Sequence, residues 1–132
     1  MDYKRGDQVE VISKEDGFEG SYYEAIIVTK LQKKEYIVTY RTLLKDDHSG
    51  PLREVVTFDE LRPAPPEILA SWFELNDEVD AFDNDGWWVG KIIGRIGSLY
   101  NVYFESSGEE IAYRIDRLRV HQDCVNGRWI SS

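Results

Sequence analysis

The sequence predicts an all-β protein made of two small antiparallel modules in tandem. Three observations carry this: an internal repeat, apolar runs that alternate with period two between turn signals, and a proline-rich break near the middle. The repeat shows in Gly20-Ser21-Tyr22-Tyr23-Glu24-Ala25-Ile26-Ile27 and Asp85-Gly86-Trp87-Trp88-Val89-Gly90-Lys91-Ile92. Each has a small residue, two adjacent aromatics, a variable residue, a second small residue and an apolar run. Neighbouring side chains on a strand point to opposite faces, so one aromatic of each pair enters a core and the other stands outside. A ring kept outside suits stacking on a cation, because its face carries the negative lobe of the quadrupole.

Gly6-Asp7-Gln8-Val9-Glu10-Val11 reads as a turn feeding a strand with Val9 and Val11 on one face. Ser13 to Ser21 form a charged, glycine-containing loop whose one apolar ring, Phe18, is either a hinge plug or a ligand wall. Tyr22 to Gln32 form the second strand, and Lys33-Lys34 turn into Glu35 to Arg41, where Tyr36, Val38 and Tyr40 share a face. Lys45 to Pro51 are loop chemistry, and Arg53 to Thr57 make a fourth strand. Phe58-Asp59-Glu60-Leu61-Arg62-Pro63 close the module.

Pro63-Ala64-Pro65-Pro66 cannot continue a ladder and marks the boundary. The expected organisation is a first module over 1–64, a connector over 65–74, and a second module over 75–132 ending in a hairpin at Asn126-Gly127. Ile68, Leu69, Trp72 and Phe73 of the connector are expected to be buried between the modules. Modules of this size are marginal alone, which predicts that the two pack together. In the second module Asp83-Asn84-Asp85-Gly86 is a tight turn where the first has its long loop.

Twenty-five acidic against sixteen basic residues leave a net charge of −9, split as −3 over residues 1–66 and −6 over 67–132. That balance disfavours a nucleic-acid backbone and points to a basic partner. The single cysteine, Cys124, makes no internal disulfide. No Cys/His framework is present, and Asp83 to Gly86 lack the later glutamate of a calcium loop, so neither metal nor cofactor is expected. His48 and His121 accompany no nucleophile motif or phosphate loop, which argues against an enzyme. No apolar run spans a bilayer and no signal peptide is seen, so the expected setting is cytosolic or nuclear, away from membranes.

Taken together, the Gly/Asn-Asp-x-Val-Glu/Asp starts, the aromatic pairs, Tyr-x-Val-x-aromatic and the Leu-Arg closures resemble plant tandem Agenet domains, which are Tudor-like members of the Royal superfamily. The most specific stretches are Gly17-Phe18-x-Gly20-Ser21-Tyr22-Tyr23-Glu24-Ala25 and Asp85-Gly86-Trp87-Trp88-x-Gly90. In the tail hairpin Cys124 stands where such tandems often have a tryptophan. The resemblance implies strongly bent antiparallel barrels of about five strands. It further implies nuclear reading of a histone tail at methylated lysine, with lysine 9 of histone H3 in its dimethyl form as the first expectation, in heterochromatin and gene silencing.

Carried over by residue, the aromatic cage of the first module would draw on Phe18, Tyr22 or Tyr23, and Tyr40. The second module offers Phe82, Trp87 or Trp88, and Phe104 as the alternative. The first is preferred because the second turns too tightly to raise a wall. Asp83 and Asp85, with Glu24 and Asp47, are the acidic candidates for an unmodified basic residue on the same peptide. RNA binding and methylarginine binding are the competing readings, and a monomer is the default state.

Overall fold

The structure, a computed structural model, describes residues 2–15 and 20–131 of the 132-residue chain, so the predicted cage member Phe18 lies outside the described residues. The chain divides into two compact units, Met1–Ala64 and Pro65–Ser132. The first holds β1 (Gln8–Ile12), β2 (Tyr22–Lys30), β3 (Glu35–Leu44), β4 (Pro51–Thr57) and β5 (Leu61–Pro63), with a 3-10 turn at Phe58–Glu60. All pairings are antiparallel, in the order β5-β1-β2-β3-β4.

This order is an open path rather than a closed ring, yet all five strands contribute to one core. Val9, Ile27, Val38, Val56 and Leu61, one from each strand, meet in it. A sheet whose single face packs against itself must curve strongly. The register shift between Ile27 and Thr29, where β2 pairs with β3, supplies part of that bend. Burial alternates along β2 from Tyr23 through Ala25 to Ile27, as period two requires.

The second unit repeats the arrangement with β6 (Glu78–Asp83), β7 (Gly86–Ile96), β8 (Leu99–Phe104), β9 (Glu109–Arg114) and β10 (Leu118–Val120), and a 3-10 turn at Ile115–Arg117. The order is β10-β6-β7-β8-β9. Asn84 and Asp85 both take positive φ, 47° and 66°, between the paired residues Asp83 and Gly86. This is the two-residue turn whose twist matches a hairpin. A separate hairpin of β11 (Gln122–Val125) and β12 (Arg128–Ser131) turns at Asn126-Gly127.

The connector departs from expectation. Phe73 is buried in the core of the second unit, where its backbone N–H donates to the Tyr100 hydroxyl at 3.2 Å. Ile68, Leu69 and Trp72 are instead exposed. A proline-rich stretch with no ladder presents no periodic face, and the residue adjoining the turn before β6 is the one that reaches the core.

Candidate functional site

In the first unit the inner face of the sheet opens at one end into a cavity of about 490 Å³. Alternation on β2 aims Tyr23 inward, and the pairing of Ala25 with Tyr40 sets Tyr40 diagonally beside it. β4 contributes Leu52 and Glu54 on the face that carries the buried Val56. Glu60 comes from the 3-10 turn, where its carboxylate accepts the Thr57 backbone N–H at 2.9 Å. That bond to the turn's own N-cap fixes the side chain's direction. The end of β1 and the residues after it, Val11 to Glu15, complete the wall.

Chemically the cavity joins two tyrosine rings with three carboxylates, Glu15, Glu54 and Glu60. The Tyr40 hydroxyl donates to Glu54 Oε1 at 3.3 Å. Burial pushes its pKa up well beyond the usual tyrosine value, and the charges of Glu54, Glu60 and Glu15 push it further. Tyr40 therefore stays neutral throughout the physiological range. Polarised rings beside carboxylates form a receptor for a cation with apolar surface. Among the described residues no group of His, Cys, Asp and Glu could hold a metal ion.

The other predicted site residues fall elsewhere. Tyr22 does not line the cavity: it faces the guanidinium of Arg62, 3.5 Å from the ring centroid. Glu24 pairs with Arg41 at 3.1 Å. Asp47 sits in the exposed β3–β4 loop, where its carboxylate accepts the Ser49 backbone N–H at 2.9 Å, and bonds from Ser49 hold its pKa low.

In the second unit Trp88 is part-buried against the core, and its indole N–H donates to the Asp83 carbonyl at 2.7 Å. The Asp83 carboxylate accepts the Tyr113 hydroxyl at 2.7 Å, while Asp85 occupies the exposed turn. Phe104 is buried edge-on to Tyr113, with centroids 6.0 Å apart. Phe82 and Trp87 face each other across β6 and β7 at 5.0 Å, with Arg119 lying 4.1 Å from the Trp87 centroid.

Register identifies what separates the units. Glu54 opposes Val38 as Ile111 opposes Val102, and Glu60 ends its 3-10 turn as Arg117 ends the second. Two of the three carboxylates of the first cavity are thus replaced by an isoleucine and an arginine. Sequence reasoning missed Glu15, Glu54 and Glu60. The signal for Glu54 was a charge in core register in Leu52-x-Glu54-x-Val56, and for Glu60 the capping pattern Thr57-x-x-Glu60.

Curvature, strand order and an aromatic, acidic cavity define a tandem of small all-β binding modules of the Tudor-like kind. The Agenet domain family matches residues 6–66. The Arabidopsis thaliana protein AGENET DOMAIN (AGD)-CONTAINING P1 is 38% identical over 128 residues, which cover 96% of this chain and 25% of that protein. DUF724 domain-containing protein 6 of the same plant is 35% identical over 133 residues, covering 96% and 19%. A crystal structure of Arabidopsis thaliana AGDP1 AGD34 superposes with a TM-score of 0.92 at 37% identity, covering 98% of this chain and 90% of that one. The tandem Agenet domain 3-4 of ADCP1 gives 0.87 at 34% identity, covering 98% and 88%. The chain belongs to the Agenet domain family, whose members are non-enzymatic binding modules. It spans a quarter or less of the length of these two curated relatives.

Proposed function

We propose that the chain is a nuclear chromatin reader whose first unit takes a methylated lysine of the histone H3 tail, with dimethylated lysine 9 as the preferred mark. The observation that carries this reading is the cavity in which Tyr23 and Tyr40 stand with Glu15, Glu54 and Glu60. A methylated ammonium keeps its charge while losing donors and gaining apolar surface, so water holds it less tightly. Each ring then contributes about 0.5–2 kcal/mol by cation–π contact. A carboxylate can accept the N–H that a dimethylated ammonium retains. The net charge of −9 draws a basic tail toward the protein, and the second unit, at −6 over residues 67–132, offers an acidic surface for an unmodified basic residue of the same peptide.

The same glutamates disfavour an RNA backbone, whose phosphates they would repel. Calorimetry with H3 peptides carrying lysine 9 unmodified, mono-, di- or trimethylated, beside a methylarginine peptide and a single-stranded RNA, tests the reading. The dimethyl peptide should bind tightest. Equal affinity for methylated and unmodified peptides, or preference for the RNA, overturns it.

A further inference from the structure

The wall of the cavity contains a cation of its own. Lys14 lines the same space as Glu15, Glu54 and Glu60, and its Nζ lies 3.3 Å from Asp59 Oδ2. The pair joins the residues after β1 to the 3-10 turn, 45 positions away in sequence. Asp59 is held independently of Lys14, because the Thr57 hydroxyl donates to its other oxygen. That bond, and then Lys14, keeps the Asp59 carboxyl below the usual carboxylate range.

Both side chains are largely exposed, 62% for Lys14 and 72% for Asp59, so this ion pair exchanges readily and adds little to stability. Its consequence lies in where it puts the ammonium. A lysine anchored at the rim is present at high effective concentration beside the three glutamates, far above that of a ligand in solution. Unless it is held elsewhere, it occupies the carboxylates that an incoming ammonium needs.

We propose that Asp59 is a positioning residue that holds Lys14 aside, and that Lys14 is otherwise an intramolecular competitor for the cavity. The inference rests on the methyl-lysine reading above. It makes Lys14 and the 3-10 turn a pair whose contact sets how open the site is to cations.

A double-mutant cycle tests it by calorimetry with the H3 peptide dimethylated at lysine 9, against the wild type, Asp59→Asn, Lys14→Met and the double variant. Asp59→Asn should weaken binding about fivefold, the weight of one close ion pair in water. Lys14→Met should bind at least as tightly as the wild type, and the double variant should match Lys14→Met. Asp59→Glu should restore the wild-type affinity, and thermal unfolding of Asp59→Asn should stay unchanged. If Asp59→Asn costs the same with and without Lys14, Asp59 acts by its own charge and the proposal fails. Equal binding by all four proteins also defeats it while leaving the reader assignment intact. Failure of both the wild type and Lys14→Met to bind the peptide removes the reader assignment and this inference together.

Discussion

The guanidinium of Arg62 lies 3.5 Å from the centroid of Tyr22. It also donates from Nε and Nη2 to Glu10 Oε1, at 3.0 and 2.7 Å, with both charged side chains buried. The second unit repeats the constellation: Arg119 lies over Trp87 at 4.1 Å and donates to Asp80 Oδ2 at 2.8 Å. The outward ring of each aromatic pair is therefore stacked on a cation, and the chain itself supplies it.

Glu10→Gln should strand the buried Arg62 guanidinium and destabilise the protein by about 3 kcal/mol, read from urea unfolding. Tyr22→Ala should cost only about 1 kcal/mol and leave the preference for a methylated peptide unchanged.

Tyr40→Ala should reduce the preference for the dimethylated over the unmodified H3 peptide by roughly tenfold, the loss of one partly desolvated ring. Tyr40→Phe keeps the ring and should retain most of that preference. Glu54→Gln combined with Glu60→Gln should instead weaken methylated and unmodified peptides alike. Calorimetry separates these outcomes.

His121 is buried, with Nδ1 2.7 Å from Asp80 Oδ1 and Nε2 3.1 Å from Asp123 Oδ1. Ionised carboxylates only accept, so satisfying both contacts requires the imidazolium. The bond to Asp80 raises the His121 pKa against the opposing effect of burial, with Asp123 adding to the rise. A raised folded-state value means a contribution fully present below the unfolded value of about 6.5 and lost as pH climbs through the folded one. Thermal midpoints should therefore fall from about pH 6 toward alkaline pH, and His121→Gln should flatten that slope.

Gly90→Ala should destabilise the second unit by about 1–3 kcal/mol in chemical unfolding. A Cβ there would lie 2.4 Å from Val102 Cγ1 and 3.1 Å from Phe104 Cε1. The corresponding strand position in the first unit already holds Ala25 within its core.

The strands were legible because alternation and turn chemistry agree locally, as at Tyr36-x-Val38-x-Tyr40 and Asp83-Asn84-Asp85-Gly86. The inward and outward split of Tyr22 and Tyr23 followed from pleat geometry alone. What covers Tyr22 did not, since Arg62 reaches it through the pairing of β5 with β1, a long-range fact. Glu54 and Glu60 stayed hidden for a related reason: which end of a sheet opens depends on curvature, which no short stretch of sequence encodes. Asp83 read as an acidic docking group from its turn, whereas the tertiary fold gives its carboxylate to Tyr113.

The neck of the β1–β2 loop is closed by two backbone bonds, Ser13 N–H to the Ser21 carbonyl at 2.9 Å and Gly20 N–H to the Ser13 carbonyl at 3.2 Å. These two bonds carry the alignment of β1 and β2 past their last paired residues, Ile12 and Tyr22. Proline in place of Ser13 would remove one of the two donors and unlatch the wall that Ser13, Lys14 and Glu15 give the cavity.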